Sequence, residues 1–145
     1  MYSVYAMNGE NSIVSSVKAT GAKVAGQTVQ ITGGKSVELE ISMSNSLAKI
    51  NGTARRDDKP IAGAMILLVP ENAEMNLPKF RRDQSDSDGT YTLRDVLPGR
   101  YRMLAIDDGW ELEWANLSLL KNRLEHAQKI EVQPNKTYQT ILNVE

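Results

Sequence analysis

Cysteine is absent from this sequence of 145 residues, and histidine occurs only once, at position 126. Without cysteine the chain has no disulfides, thiolate zinc sites, iron–sulfur clusters or cysteine nucleophiles. The single His126 leaves little room for a histidine metal site or for separate base and ligand roles. No apolar run approaches the roughly 18 residues that span a bilayer, and the N-terminus carries no signal-peptide pattern. We therefore expect no cofactor, no bound metal, no membrane span and no signal peptide within this chain.

An excess of charge of either sign is also missing. Lys and Arg number 17 against 18 Asp and Glu, which leaves a net charge of −1. Nucleic-acid binders usually carry a basic face or stripe, so this balance argues against that class of partner. Hydrophobic residues at 41% and charged residues at 24% describe an ordinary globular protein.

Most of the chain consists of short runs in which apolar and polar residues alternate, a pattern typical of half-buried strands. One face of the run 36–43 carries four apolar residues, namely Val37, Leu39, Ile41 and Met43. The runs 64–69 and 101–106 are almost wholly apolar, so we predict that both are central strands, the first covered on both faces. Clusters of Gly, Pro, Asp and Asn separate the runs and favour turns, which indicates an antiparallel sandwich or barrel.

The segment from Trp110 to Ala127 breaks this alternation. Apolar residues recur there at spacings of three and four: Trp110, Trp114, Leu117, Leu120 and Leu124. This spacing predicts an amphipathic helix over about 110–127, inserted between two strands. An interruption near 116–118 is the alternative, because Asn or Ser there would cap a second short helix.

The first 45 residues form a separate β-rich segment by composition. Alternating runs predict strands at about 2–7, 12–19, 23–31 and 36–43, and a boundary falls near 44–47. These strands are too few and too polar for an independent core, so the segment resembles the closing part of a preceding β domain. We expect it to make extensive contacts, with strand addition or assembly between copies as one way to cover its open face.

Three stretches of the second part resemble the carboxypeptidase regulatory-like domains. The first is 50–54 followed by 59–68, which is similar to that family's opening hairpin with its Pro-containing turn. The second, 85–93, is similar to "T-D-x-D-G-x-Y-x-L", and the third, 96–105, to "L-P-x-G-x-Y-x-v-x-A". Their order and spacing match, and the resemblance spans about 46–145.

The resemblance implies an all-β fold, a Greek-key prealbumin-like (transthyretin-like) sandwich of seven strands related to collagen-adhesin B-type repeats. The helix near 110–127 looks like an insertion found in some bacterial cell-envelope members of the family. Such domains accompany peptidases without peptidase chemistry of their own. The resemblance therefore implies a non-catalytic protein outside the cytoplasm, in the bacterial cell envelope or secreted.

Asp86 and Asp88 form the one candidate metal site, a weak candidate for calcium. In an EF-hand-like register they take positions 3 and 5, which puts Gln84 at position 1 and Asp95 at position 12. The register demands a bidentate Glu at the last position, so the ligand set is incomplete. The alternative is a solvated β-turn with Asx hydrogen bonds, and we expect that turn to hold no ion.

Trp110 and Trp114, one helical turn apart, are the candidate ligand-binding residues. Exposed and coplanar rings would stack on a sugar, whereas buried rings would anchor the helix to a sheet. We expect the anchoring role, with Trp110, Trp114, Leu117 and Leu124 facing the sandwich.

Lys49 and Asn143 are the pair to test for an internal isopeptide, which collagen-adhesin B-type domains can form between a first-strand Lys and a last-strand Asn. Since Ile50, Gly52 and Ala54 share one face of their strand, Lys49 points to the other face. No acidic residue falls in an obvious core position. We therefore expect no isopeptide.

The sequence thus predicts a non-catalytic structural or interaction module of a bacterial cell-surface or secreted protein. No set of acid, base and nucleophile is recognisable, so we expect no enzyme. Its partners would be other proteins or copies of itself, held by β-strand contacts. The alternative is a carbohydrate-binding module that takes a polysaccharide at Trp110 and Trp114 or at the loops of one sandwich end.

Overall fold

The computed structural model describes residues 1–4, 12–113 and 116–145. Within these residues the chain is mostly β-structure with one short α-helix and several small sheets. Strands β1 to β13 are Tyr2–Ser3, Ile13–Thr20, Lys23–Ala25, Thr28–Gln30, Glu38–Ser44, Ala48–Arg56, Lys59–Pro60, Met65–Pro70, Arg81–Gln84, Thr90–Val96, Gly99–Ile106, Gln128–Val132 and Thr137–Asn143. Helix α1 is Leu117–Glu125, and short 3-10 helices span Ala73–Met75, Leu77–Lys79 and Gly109–Glu111.

Two four-stranded sheets make up the larger part of the molecule. One has the order β10-β6-β13, with the short β7 paired to β6, and the other has the order β12-β11-β8-β9. Strand β13 runs parallel to β6, while the remaining pairs in both sheets are antiparallel. Beyond the end of β13, Val144 bridges to Ala105 of β11 and so ties the two sheets together.

The space between these sheets holds the main hydrophobic core. Burial alternates along β6: Ile50 and Ala54 are fully buried, whereas Lys49, on the other face of the strand, is only partly buried. The cluster also contains Ile66 and Leu68 from β8. Alternation along each strand therefore sends one set of side chains into this core, as a half-buried sheet requires.

The apolar runs at 64–69 and 101–106 are confirmed as central strands, and the first is covered on both faces as predicted. Strands β8 and β11 are the two inner strands of their sheet. Ile66 and Leu68 of β8 join the main core, while Met65, Leu67 and Val69 join a second cluster on the outer face.

Helix α1 covers that outer face. Leu120 is fully buried there, and Leu117 and Leu124 pack against the same cluster. None of the helices in the described ranges is long and apolar enough to cross a membrane.

The prediction of one helix over 110–127 is wrong. The segment instead has a 3-10 turn at Gly109–Glu111 and an α-helix that begins at Leu117. Asn116 sets this start because its side chain accepts a hydrogen bond from the Ser118 backbone N–H at 3.2 Å, which satisfies a free donor of the first turn. Trp114 and Ala115 lie outside the described residues.

The N-terminal strands form two small sheets, β1-β4-β3 and β2-β5. They bury a small core, Val14, Val17 and Val29, so the expectation that they bury none is wrong. The predicted strand 23–31 is in fact two strands, because Gly26 adopts a φ of 59° and turns the chain back on itself. Of the predicted strand 2–7, positions 5–7 lie outside the described residues.

Candidate functional site

Strand β5 presents a row of exposed apolar side chains. Leu39, Ile41 and Met43 are 39%, 40% and 37% exposed, and alternation puts all three on one face of the strand. We call these three residues the β5 apolar row. Large apolar side chains scattered singly are normal on a protein surface, whereas these three form one contiguous apolar patch.

The β5 apolar row is uncovered because the sheet packed against this face, β1-β4-β3, is small. In the antiparallel β2–β5 pair, Ile41 lies opposite Val17 and Met43 lies opposite Val14, so all four side chains share a face. Val14 and Val17 are buried against Val29 of the three-stranded sheet. That sheet covers β2 and leaves β5 exposed.

Strand β5 is also an edge strand. Within the described residues it pairs with β2 alone. The Ser15 hydroxyl of β2 donates to the Ser42 carbonyl oxygen at 3.1 Å, so that carbonyl points toward β2. Because backbone groups alternate sides along a strand, the carbonyl and N–H groups of Ile41 point to the open edge. The row and the open edge together are what strand addition by another chain requires.

Backbone contacts hold the N-terminal sheets against the larger part of the molecule. The Gln27 N–H donates to the Met75 carbonyl at 2.9 Å. Within the N-terminal segment, the Gln27 side chain donates to the Val14 carbonyl at 2.5 Å and so joins the two small sheets. A Cβ at Gly26 would lie 2.5 Å from the Met75 carbonyl oxygen, so only glycine permits this approach. Beside this contact lies an open groove of about 1340 Å³, bordered by the 3-10 segment 73–75 and helix α1.

The Asp86–Asp88 segment is a hydrogen-bonded turn. The Gly89 N–H donates to the Asp86 carbonyl at 2.8 Å, and Asp88 accepts from both the hydroxyl and the N–H of Thr90. These bonds, the hydroxyl first, hold the pKa of the Asp88 carboxyl below its usual value. Nearby, Asp83 accepts from the Thr92 N–H at 2.7 Å and so joins β9 to β10. These bonds close the turn and join it to β10.

Trp110 lies on the 3-10 turn, and its side chain is 44% exposed. The prediction that it is a buried anchor is therefore wrong, because the helix that would have turned its ring inward does not extend to this position. The indole N–H donates to the Gly63 carbonyl at 3.3 Å, and the Arg82 guanidinium lies 5.8 Å from the ring centroid. Trp114, the other candidate, lies outside the described residues.

Lys49 and Asn143 are far apart along their paired strands. Lys49 lies opposite Thr137, whereas Asn143 lies opposite Arg55. Six residues of parallel strand separate the two levels, which is about 20 Å at the usual rise per residue. The structure does not bring this pair together.

Arg81 has a structural role that the sequence pattern did not reveal. Its guanidinium donates to the Asp95 carbonyl at 2.8 and 3.0 Å and to the carbonyls of Pro78 and Phe80. Asp95 has a φ of 54° where the register of β10 against β6 shifts. In the sequence, Arg81 stands in a short basic run, 79–82, a pattern that is typical of a solvated surface and gives no sign of these bonds.

Two buried tyrosines connect the strands of the main core. The Tyr101 hydroxyl donates to the Leu97 carbonyl at 2.7 Å. Burial raises the pKa of Tyr101 to about 12, although the nearby positive charge of Arg81 acts to lower it. The Tyr91 hydroxyl lies 2.6 Å from that of Thr140, which itself donates to the Asn51 carbonyl, so Tyr91 is the donor. Burial also raises the pKa of Tyr91. Both hydroxyls are therefore neutral structural groups.

No three His, Asp or Glu side chains come together to hold a metal ion in the part of the chain that the structure describes. The Asp88 carboxylate bonds to the backbone N–H and the hydroxyl of Thr90, and the Asp83 carboxylate bonds to the Thr92 N–H. The β5 apolar row is accordingly the feature that points most clearly to a role.

No protein-family model matches the chain, and no curated protein is similar to it in sequence. Solved structures show distant similarity. A DUF3823 family protein from Parabacteroides merdae is 16% identical with a TM-score of 0.41, over 66% of this chain and 44% of that one.

Pilin structures from Gram-positive bacteria are similar at the same distance. The pilus 2b backbone protein of group B streptococcus is 12% identical with a TM-score of 0.45, over 95% of this chain and 50% of that one. The minor pilin GBS52 of Streptococcus agalactiae is 15% identical with a TM-score of 0.44, over 88% and 58%. This chain thus spans between 44% and 58% of the length of these three solved chains.

Proposed function

We propose that this chain is a non-catalytic structural module of a bacterial cell-surface or secreted protein, and that it binds other protein chains, copies of itself included, through β5. The observation that carries the proposal is the β5 apolar row on an open edge strand. An unpaired edge offers backbone donors and acceptors to an incoming strand. The apolar side chains beside the edge stabilise the contact because it buries them away from water.

Among the residues that the structure describes, β5 lacks the proline, bulge and inward charge that commonly protect an edge, and this supports the role. Edge strands are commonly blunted by proline, a bulge or a charge that points inward. Strand β5 has no proline, its two glutamates lie on the face opposite the row, and the bulge of this pair lies on β2 between Val14 and Ser16. The edge of β5 is left able to accept a partner.

The location and the finer fold rest on the family resemblance. We propose that residues 46–145 form a carboxypeptidase regulatory-like sandwich of the prealbumin-like type, and that residues 1–45 are the closing part of a preceding β domain. Seven strands in a three-plus-four arrangement, apart from the two-residue β7, support the first assignment. The exposed apolar face of β5, which a preceding domain would cover, supports the second.

The hydrogen bonding of the candidate sites supports a non-catalytic role. Asp83 and Asp88 each accept bonds from β10 or its turn, and Ser85 donates to the Ile61 carbonyl while accepting from the Ala64 N–H. A nucleophile is normally hydrogen-bonded to its base, but the Ser85 hydroxyl donates to a backbone carbonyl, and both carboxylates accept from backbone or hydroxyl donors, so these three groups form no nucleophile–base pair.

Light scattering on the full chain tests the proposal. The variant Leu39→Thr/Ile41→Thr/Met43→Thr keeps β-forming residues while removing the apolar row. We expect the mass of the wild type to rise above 16.1 kDa, the mass of one chain, as the concentration increases, and the variant to stay at that value.

Ile141→Thr is the matched control because Ile141 of β13 is 57% exposed on another sheet, and it should behave as the wild type does. Circular dichroism checks that each variant is folded. A wild type that stays at the mass of one chain at every concentration, or a folded triple variant that associates equally well, contradicts the proposal.

The exposed ring of Trp110 supports carbohydrate binding as a second candidate function. The ring offers surface for stacking on a sugar, although Arg82 lies over it. A polysaccharide that binds there would protect tryptophan fluorescence from acrylamide, and Trp110→Ala would abolish that protection. Unchanged quenching across a polysaccharide panel would eliminate this alternative.

A further inference from the structure

We infer that the partner of β5 is β5 of a second copy, paired antiparallel about a two-fold axis that passes through Ile41. The inference rests on the proposed function, since it names the partner and the register of the same edge. Three observations lead to it: the direction of the edge groups, the order of charges along β5 and the face that carries the row.

The direction of the backbone groups limits the registers. The Ser42 carbonyl points toward β2, so the groups of Leu39, Ile41 and Met43 point to the open edge. Two copies can therefore bond only where an odd-numbered residue of one strand lies opposite an odd-numbered residue of the other. A slip by one residue would also set apolar side chains beside glutamates, because it moves them to the other face.

The positions of the glutamates select one register among those that remain. With Ile41 opposite Ile41, the seven residues of β5 all find partners: Leu39 faces Met43, Glu40 faces Ser42 and Glu38 faces Ser44. Each carboxylate then lies beside a hydroxyl of the other copy. On its inner side Glu40 keeps Lys18 of β2, whose ammonium lies 3.5 Å from the carboxylate.

Neighbouring registers are worse for identifiable reasons. Centring the axis on Glu40 puts the two Glu40 carboxylates directly opposite each other, and centring it on Leu39 sets Glu38 against Glu40. Like charges directly opposite are destabilising. Centring the axis on Ser42 avoids this clash but leaves Glu38 and Leu39 without partners in the strand.

The two-fold symmetry also keeps both rows on the same face. An axis normal to the sheet gives a continuous order β2-β5-β5-β2, and Leu39 of each copy then packs beside Met43 of the other. Such a contact is isologous, so it closes with two copies and leaves no free β5 edge for further growth.

Cysteine scanning tests the register on the full chain, which has no cysteine of its own. Hydrogen-bonded antiparallel neighbours have Cα atoms about 5.5 Å apart, within the range that a disulfide spans. Ile41→Cys should therefore form a covalent dimer on mild oxidation. A short bismaleimide should cross-link the same variant, in case the side-chain angles disfavour the disulfide.

Leu39→Cys and Met43→Cys are the matched controls. Each alone lies about 13 Å from its own copy in this register and should stay monomeric on denaturing gels. A mixture of the two variants should cross-link, because residue 39 of one copy faces residue 43 of the other.

The outcomes separate this inference from the proposed function. If Leu39→Cys links to itself as fast as Ile41→Cys does, or if the mixture does not link, the register is wrong. If the wild type associates through β5 by light scattering but Ile41→Cys does not link, the two-fold pairing is wrong and the proposed function stands. If light scattering detects no association at all, the proposed function itself fails.

Discussion

Gly52 lies on β6, between the two strands that pair with it. It pairs with Tyr91 of β10 on one side and with Thr140 of β13 on the other. A Cβ at this position would overlap the Tyr91 hydroxyl and ring, and it would lie 2.5 Å from the Thr140 carbonyl oxygen. The Tyr91–Thr140 hydrogen bond passes directly over the glycine, so the bond exists only because no side chain stands there.

Gly52→Ala should therefore lower the free energy of unfolding by about 2 to 3 kcal/mol, because the added methyl group must displace Tyr91 or spread the strands. Urea unfolding measures the change. Gly33→Ala is the matched control, since nothing lies within 4 Å of a Cβ there, and it should change stability by less than about 1 kcal/mol. Equal effects of the two substitutions would show that Gly52 is not crowded.

Helix α1 is short and packs against the sheet through one of its faces. Leu120 is fully buried against the outer face of the β12-β11-β8-β9 sheet, while the adjacent Leu119 is 52% exposed. A nine-residue helix is marginal on its own in water, so packing rather than intrinsic propensity keeps it folded.

Leu120→Ala should lower the free energy of unfolding by about 3 kcal/mol, from lost burial and the cavity left behind. Leu119→Ala, one position earlier on the same helix, should change it by less than about 0.5 kcal/mol. Both values come from the same urea titration. A small effect at Leu120 together with a large one at Leu119 would mean that the helix packs through its other face.

The elements differ in how well the sequence predicted them. The apolar runs at 64–69 and 101–106 were predictable because a strand without a polar face must be covered on both sides. The extent of the helix was not predictable, because Trp110 stands at helical spacing from the apolar residues of α1 although the chain forms only a 3-10 turn at that position. The Asn116 cap was the more reliable signal, since it reflects a specific hydrogen bond to the first turn.

At the scale of the whole molecule, the alternation along β5 was visible in the sequence, but its exposure was not. A period of two shows that one face is apolar, and it carries no information on whether another element covers that face. Coverage of the apolar face depends on the size of the sheet packed against it, and the strands of that sheet, β1, β3 and β4, have only two or three residues each. The exposure of the β5 apolar row is thus a property of how the described N-terminal strands assemble.

Hydrogen exchange at the amides of β5 tests the central claim, that this edge is open in one chain and paired between chains. Residue-resolved exchange of the full chain is compared at low and at high concentration. The Ile41 amide should exchange fast when the chain is dilute and slowly when it is concentrated, because its N–H points to the open edge and pairs only on association. The Glu40 amide points to β2 and should be protected equally at both concentrations. If the Ile41 amide exchanges at the same rate at both, whether fast or slow, the claim is contradicted.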